Sequence, residues 1–423
     1  MTTLRTDAYT LPAAEIGPEN PLPMFRGPED NSPMGLDESV PEDDRRYMGW
    51  MTGWRVLPHR LQDEYSRRRQ VRALDALVIE NEFLKATFLP NVGGKLASLI
   101  HKPMGRELLH RNPVFQPANL ALRNAWTSGG IEWNSVQPGH HYLTCSPVFC
   151  AQVTGPDGTP CLRIYEWDRV KGFFWQVDFW LPSDSQFLYA RTRIVNPHPY
   201  EIAMYWWTNM AVDEREDVRV LVPAETALCH RYTGKLEVAP LPRVDSRDLT
   251  YSTQSPHSAD FSSRIPEGRR RWIAALGADG TGFFETSTDR LRGRKLFCWG
   301  MGSGGRRWQE YLAAAGCAYI EIQAGLTRTQ MECLPMPPET EWTWTEAFGY
   351  LEADPTRVHS DDWHAAWSEA GRRIDQALPA SRLEDVDRRL SAVAVTPPER
   401  ILRYGSGWGA LERERRRHEG QPD

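Results

Sequence analysis

The chain has no run of 18 apolar residues, so no helix is expected to span a bilayer. Its first stretch, MTTLRTDAYTLPAAEIGPENPLP, lacks the apolar centre of a secretory signal. The seven cysteines are odd in number and form no C-x-x-C pair, which argues for reduced thiols in a cytoplasmic setting rather than a disulfide framework. Metal-ligand spacing is missing as well. His140 and His141 are adjacent rather than four apart and the cysteines do not cluster, so no metal and no other cofactor is expected. Nor is there an excess of positive charge. The formal net charge of −6 excludes a field that would draw nucleic acid. The arginine triplets Arg67–Arg69, Arg269–Arg271 and Arg415–Arg417 are short and flanked by acids, and they read as solvated faces. No internal repeat is visible.

What is present is an ordinary globular composition with one distortion. Of 423 residues, 40% are apolar and 25% charged, which suits a folded protein. Tryptophan, however, leads the aromatics, with 17 against 14 phenylalanines and 14 tyrosines. An indole offers a wide apolar face and one N–H donor. That combination suits the flat C–H face of a sugar ring, and it serves equally well as filler in a large β core.

Three regions follow from texture. Residues 1–69 are an extended N-terminal arm with lead-in strands; Pro18, Pro21, Pro23, Pro28, Pro33 and Pro41 preclude a helix in its first part. Residues 70–352 read as short strands with turn punctuation. FFWQVDFWL places Phe173, Trp175, Val177, Phe179 and Leu181 on one face, and GPDG at Gly155–Gly158 is a hairpin signal. Long helical patterns are absent between strands, which predicts a large antiparallel sandwich. Residues 353–423 switch to a helical tail. Trp363, Trp367, Ile374 and Leu378 form one stripe; Ser381 and Glu384 form a capping-box pattern ahead of Leu383, Val386, Leu390 and Val393.

Period-2 alternation nominates residues for chemistry. In CAYIEIQAG, Tyr319, Glu321 and Gln323 share a face while Ile320 and Ile322 point inward. In EWTWTEAFG, Trp342, Trp344, Glu346 and Phe348 share a face; in MYWWTNM, Tyr205, Trp207 and Asn209 do. These faces mix aromatics with carboxylates and amides, which is the lining an amphipathic ligand cleft needs. A sheet face covered by the arm or the tail would give the same pattern. RNAWTSGGIEWNSVQPGHHYLT, Arg123–Thr144, adds Glu132 between Trp126 and Trp133, after the paired glycines Gly129 and Gly130. A carboxylate beside apolar rings is desolvated, which raises its pKa and favours an acid role. His140 and His141 offer hydrogen bonds or proton transfer.

FLPNVGGKLASLIHKPMGRELL (Phe88–Leu109), SGG (Ser128–Gly130), VNPHPYEIAMYWWTNM and YIEIQAG together resemble the galactose mutarotase-like superfamily. With GGIEWN, WGMGSGGRRWQEYL and YGSGWGALE, the chain is similar to its DUF5107-like branch, which often continues into tetratricopeptide repeats that this chain lacks. The resemblance implies an antiparallel β-supersandwich that handles sugars, mainly β with a C-terminal helical tail. It also implies that Glu321 occupies the place of the mutarotase base. The histidines of the mutarotase motifs fall on Tyr205 and Ser128, so the usual acid is missing.

Two carboxylates across a sugar cleft are glycosidase equipment. The sequence therefore points first to a glycoside hydrolase acting on an oligosaccharide or glycoside. Glu132 would be the acid, Glu321 the base or nucleophile, and Glu346 the reserve. Trp133, Trp207, Trp299 and Trp344 would stack on sugar rings; Ser128, Asn134, Asn209 and Gln323 would bind hydroxyls. The alternatives are an aldose 1-epimerase in which Tyr205, His140 or His141 replaces the lost acid, and a non-catalytic carbohydrate-binding protein. The expected partner is a small carbohydrate or oligosaccharide, with no nucleic acid and no membrane; whether the chain forms a homo-oligomer stays open.

Overall fold

The computed structural model describes residues 1–22, 29–53, 59–136, 139–244 and 246–421. Pro23 and Pro28 of the arm lie outside the described residues. Two sheets dominate. The larger is 13-stranded; its central strands, in spatial order, are Lys95–His101, Ile131–Asn134, Trp207–Asp213, Tyr319–Gly325 and Gly293–Cys298. The second is 9-stranded and centres on Thr340–Glu352, Phe187–Asn196 and Phe173–Trp180. Among the described residues the paired strands run antiparallel, apart from the short parallel contact of Gly35–Leu36 with Lys235–Pro240 and a few isolated parallel bridges. The β-supersandwich expected from the sequence is therefore the observed architecture. GPDG closes the hairpin in which Thr154 faces Pro160.

Alternation explains how the sheets meet. Ile131, Trp133, Met210, Ile320 and Ile322 from the larger sheet interleave with Trp175, Val177, Phe179, Trp344 and Phe348 from the smaller. Indoles fill this layer: Trp133 lies 5.1 Å from Phe179, and Trp206 lies 5.5 Å from Trp344. Each buried aromatic removes about 150–250 Å² from water. The expectation that Trp133 and Trp344 stack on sugar is thereby corrected, because both face the inter-sheet core. Trp133→Ala is expected to lower unfolding free energy by about 3–5 kcal/mol, read from the urea midpoint. A change below 1 kcal/mol would contradict its core position.

The chain ends contribute to both sheets. Thr3–Ala13 pairs residue for residue with Gln70–Glu80, so the start of the arm is an edge strand. Helices Trp363–Ala377 and Ala380–Ala394 press the predicted apolar stripes onto the outer face of the smaller sheet, against Trp272, Phe284 and Ala347. The predicted capping box does not form: the second helix starts at Ala380 behind Pro379, which leaves Ser381 inside the first turn. Asp362 caps the first helix by accepting the Ala365 N–H at 3.0 Å. Beyond them, Arg400–Arg403 adds an edge strand to the smaller sheet and Gly407–His418 forms another helix. Arg69 and Arg271 are not solvated as expected. Arg69 donates to the carbonyls of Tyr311 and Ala313; Arg271 is buried and paired with Asp289 at 3.1 Å. Among the described residues, no helix is long and apolar enough to cross a membrane.

Candidate active site

Four central strands of the larger sheet turn polar side chains away from the core. Register sets them in rows. Glu132 faces Asn209, Asn209 faces Gln323, and Gln323 faces Lys295. In the next row Ala211 faces Glu321, and Glu321 faces Phe297. In the row on the other side Asn134 faces Trp207, which faces Gly325. Glu132 and Glu321 thus stand on the same sheet face, two strands and one row apart, with backbones about 12 Å from each other. The Trp207 ring lies flat on the glycines of its row: a Cβ on Gly325 would come within 2.3 Å of the indole, and one on Gly293 within 2.6 Å. Gly325→Ala should therefore dislodge Trp207 and destabilise the protein by about 1–3 kcal/mol in a urea titration. Wild-type stability would contradict that contact.

Glu132 is heavily held. Its carboxylate accepts from Trp126 Nε1 at 2.8 Å, Asn209 Nδ2 at 2.9 Å and Asn134 Nδ2 at 3.3 Å, and it pairs with His140 Nδ1. Burial alone would raise its pKa. The His140 charge and hydrogen bond, Lys95 and Asn209 together outweigh burial and bring it down to about 2. For His140 the same competition runs the other way. Burial disfavours its charge, but Glu132 and then Glu321 more than compensate and raise it. Its ring also lies 4.3 Å from Trp126. The expectation that apolar neighbours would raise the Glu132 pKa is corrected: its partners hold it down as a carboxylate, and its charge in turn favours the imidazolium of His140.

Glu321 differs. It accepts from Gln323 Nε2 at 3.0 Å, and Gln323 in turn accepts from Gln330 at 2.8 Å. Burial raises its pKa; His140 opposes this, Glu132 adds to it, and the net shift is upward. Two buried ammonium groups flank the row. Lys295 pairs with Asp260 at 2.7 Å, while Lys95 donates to the Thr127 carbonyl and sits 5.6 Å from the Trp126 ring centroid. On this face, Trp207 Nε1 and Asn209 Oδ1 are buried with no hydrogen-bond partner among the described residues.

The remaining nominated residues divide. Asn134 and Gln323 support the two carboxylates. Ser128 accepts from Asn112 at 2.8 Å at the edge of the same face. Tyr205 packs with Trp207, Trp50 and Cys333 beside it, and Trp299 packs with Tyr319 and Trp126. His141 turns the opposite way: its ring lies 4.2 Å from Tyr142, it contacts Ser135, and burial pushes its pKa down to about 3. Glu346 belongs to the other sheet and faces the core. It accepts from Thr208 at 2.9 Å beside the Glu285–Arg294 pair, and burial drives its pKa well up. The structure therefore removes His141, Glu346, Trp133 and Trp344 from the site. Lys95, Trp126 and Lys295 were not nominated. Alternation in GGKLASL and GRKLFCW assigns both lysines to the face opposite Leu96 and Leu296.

Glu132, His140, Asn209 and Glu321 fall inside the segment 54–340 that matches the family model described as a domain of unknown function, DUF5107. The chain belongs to the DUF5107 family. A TPR-domain containing protein from Parabacteroides distasonis shares 21% identity with a TM-score of 0.65, over 82% of this chain and 55% of that one. The DUF5107 chain thus spans about half the length of that protein. A galactose mutarotase-like protein from Clostridium acetobutylicum shares 11% identity with a TM-score of 0.48, over 66% of this chain and 96% of the other. A similar protein from Lactobacillus casei gives 8%, 0.40, 65% and 99%.

Proposed function

We propose that this DUF5107 protein is a mutarotase-like aldose 1-epimerase that interconverts the α and β anomers of a free sugar. Glu321 is the base and His140 the acid. The observation that carries this assignment is the Glu132–His140 ion pair facing a desolvated Glu321 across Asn209. Ring opening needs a base for the anomeric hydroxyl and an acid for the ring oxygen. Glu321 takes the O1 proton, the C1–O5 bond breaks, and O5 takes the proton of His140. Rotation about C1–C2 and the reverse transfers close the other anomer and restore both groups. Glu132 keeps the imidazole charged and oriented. Asn209 Oδ1 and Trp207 Nε1 are buried without a hydrogen-bond partner among the described residues, which leaves a polar atom of each for a sugar hydroxyl.

Charge balance supports an uncharged substrate. His140 is offset by Glu132 and Lys295 by Asp260, while burial works against the charges of both Lys95 and Glu321. A glycosidase fits less well. It needs a protonated acid at the leaving oxygen, whereas Glu132 at about 2 is ionised near neutrality. Exchange NMR on equilibrated glucose, galactose, maltose, cellobiose and lactose tests the proposal. Anomer exchange well above the buffer rate is expected. Hydrolysis of the disaccharides without anomer exchange would return the case to the glycosidase.

A further inference from the structure

Trp299 follows the strand Gly293–Cys298, in which Phe297 is the cross-strand partner of Glu321. Its indole meets Phe297 edge-on at 5.1 Å and Tyr319, two residues before Glu321, at 6.5 Å. On its other side it stacks almost parallel with Trp308, at 5.8 Å and 21°. Trp308 stands on the helix Ser303–Leu312, which directly follows this strand. A row of aromatic rings therefore leads from the Glu321 face to the surface. Trp299 is 9% exposed, whereas Trp308 is 39% exposed.

The helix that carries Trp308 is pinned. Gln309 accepts the Tyr319 N–H at 2.6 Å and donates to Glu214 at 2.9 Å. Asn112 donates to the Leu312 carbonyl at 2.9 Å, and the Arg67 guanidinium sits 4.4 Å from the Tyr311 ring centroid. Tyr311 in turn meets Trp308 edge-on at 6.0 Å. The exposed indole is thus held in one orientation from two sides, and binding a ligand there requires little further ordering. A large rigid aromatic that keeps more than a third of its surface in water has apolar area left to bury.

We propose that Trp308 is a second-ring platform, so that the sugar opened beside Glu321 is the reducing end of a disaccharide or longer oligosaccharide whose neighbouring ring lies on Trp308. This rests on the epimerase proposal and narrows it from free aldoses to reducing oligosaccharides. The unit that reacts keeps its anomeric hydroxyl; the unit beyond it contributes only its C–H face.

Two measurements on the full chain separate this claim from the reaction. In the first, kcat/KM for anomer exchange is measured with glucose and galactose against maltose, cellobiose and lactose, in wild type and Trp308→Ala. The disaccharide-to-monosaccharide ratio should exceed one in wild type and fall about tenfold in the variant, the size of change that loss of one aromatic contact produces. An unchanged ratio would overturn the platform. In the second, saturation-transfer difference NMR is recorded on the same disaccharides with Glu321→Gln, which needs no turnover. Transfer into the non-reducing ring that disappears on adding Trp308→Ala supports the platform even where wild type exchanges no anomers. No transfer, or transfer that survives Trp308→Ala, refutes it. Circular dichroism of each variant excludes unfolding as the cause.

Discussion

Glu321→Gln is expected to lower kcat/KM for anomer exchange by about 10²–10⁴-fold, or roughly 3–5.5 kcal/mol of barrier. The substitution keeps the size of the side chain and its hydrogen bond with Gln323, but removes the group that accepts the O1 proton. Sugar binding should change little, because it draws on hydroxyl contacts and stacking. The mechanism also sets the direction of the acid limb. Burial raises the Glu321 pKa, so activity is lost as pH falls through that raised value, earlier than for an exposed carboxylate. Near wild-type exchange by Glu321→Gln would remove Glu321 from the chemistry.

His140→Gln should cost a comparable 10²–10⁴-fold, since a carboxamide cannot protonate the ring oxygen near neutral pH. It should also destabilise the fold by about 3–5 kcal/mol, because it leaves the Glu132 carboxylate buried without its countercharge. Without the imidazolium, burial of Glu132 is less opposed, and its pKa should rise from about 2. The double variant His140→Gln with Glu132→Gln separates the two effects. It removes the uncompensated charge and should regain much of the lost stability while remaining inactive. Recovery of activity along with stability would mean that His140 serves the fold and not the reaction.

Much of this was legible in the sequence for a simple reason. A strand has two faces, and alternation sorts residues between them. Ile320 and Ile322 against Glu321 and Gln323 needed no coordinates, nor did Trp207 and Asn209 against Trp206. Alternation does not say which face meets the other sheet. The face of Trp344, Glu346 and Phe348 reads like that of Tyr319, Glu321 and Gln323, yet it looks into the inter-sheet core, where Glu346 is tolerated beside Arg294. Trp133 failed for a related reason. It adjoins Glu132 in sequence, and adjacency in a strand means opposite faces. The two histidines could not be separated at all, because a loop carries them. That His140 reaches Glu132 while His141 packs on Tyr142 depends on where the chain re-enters after Gly139. The pairing of Thr3–Ala13 with Gln70–Glu80 joins segments more than fifty residues apart, and charged Arg5, Asp7 and Asp75 gave it no apolar signature.

In the proposed reaction the Glu132–His140 ion pair supplies the acid and Glu321 is the base. The pH dependence of kcat/KM for anomer exchange, in wild type and Glu132→Gln, reports the ionisations of these groups in the free protein. Wild type should give a bell. The acid limb follows Glu321, and the alkaline limb follows His140, whose pKa Glu132 holds above that of a free imidazole. Removing the Glu132 charge leaves burial to act on His140, so the alkaline limb should move to lower pH in the variant. An alkaline limb that stays in place, or that shifts to higher pH, would contradict the assignment of His140 as the acid.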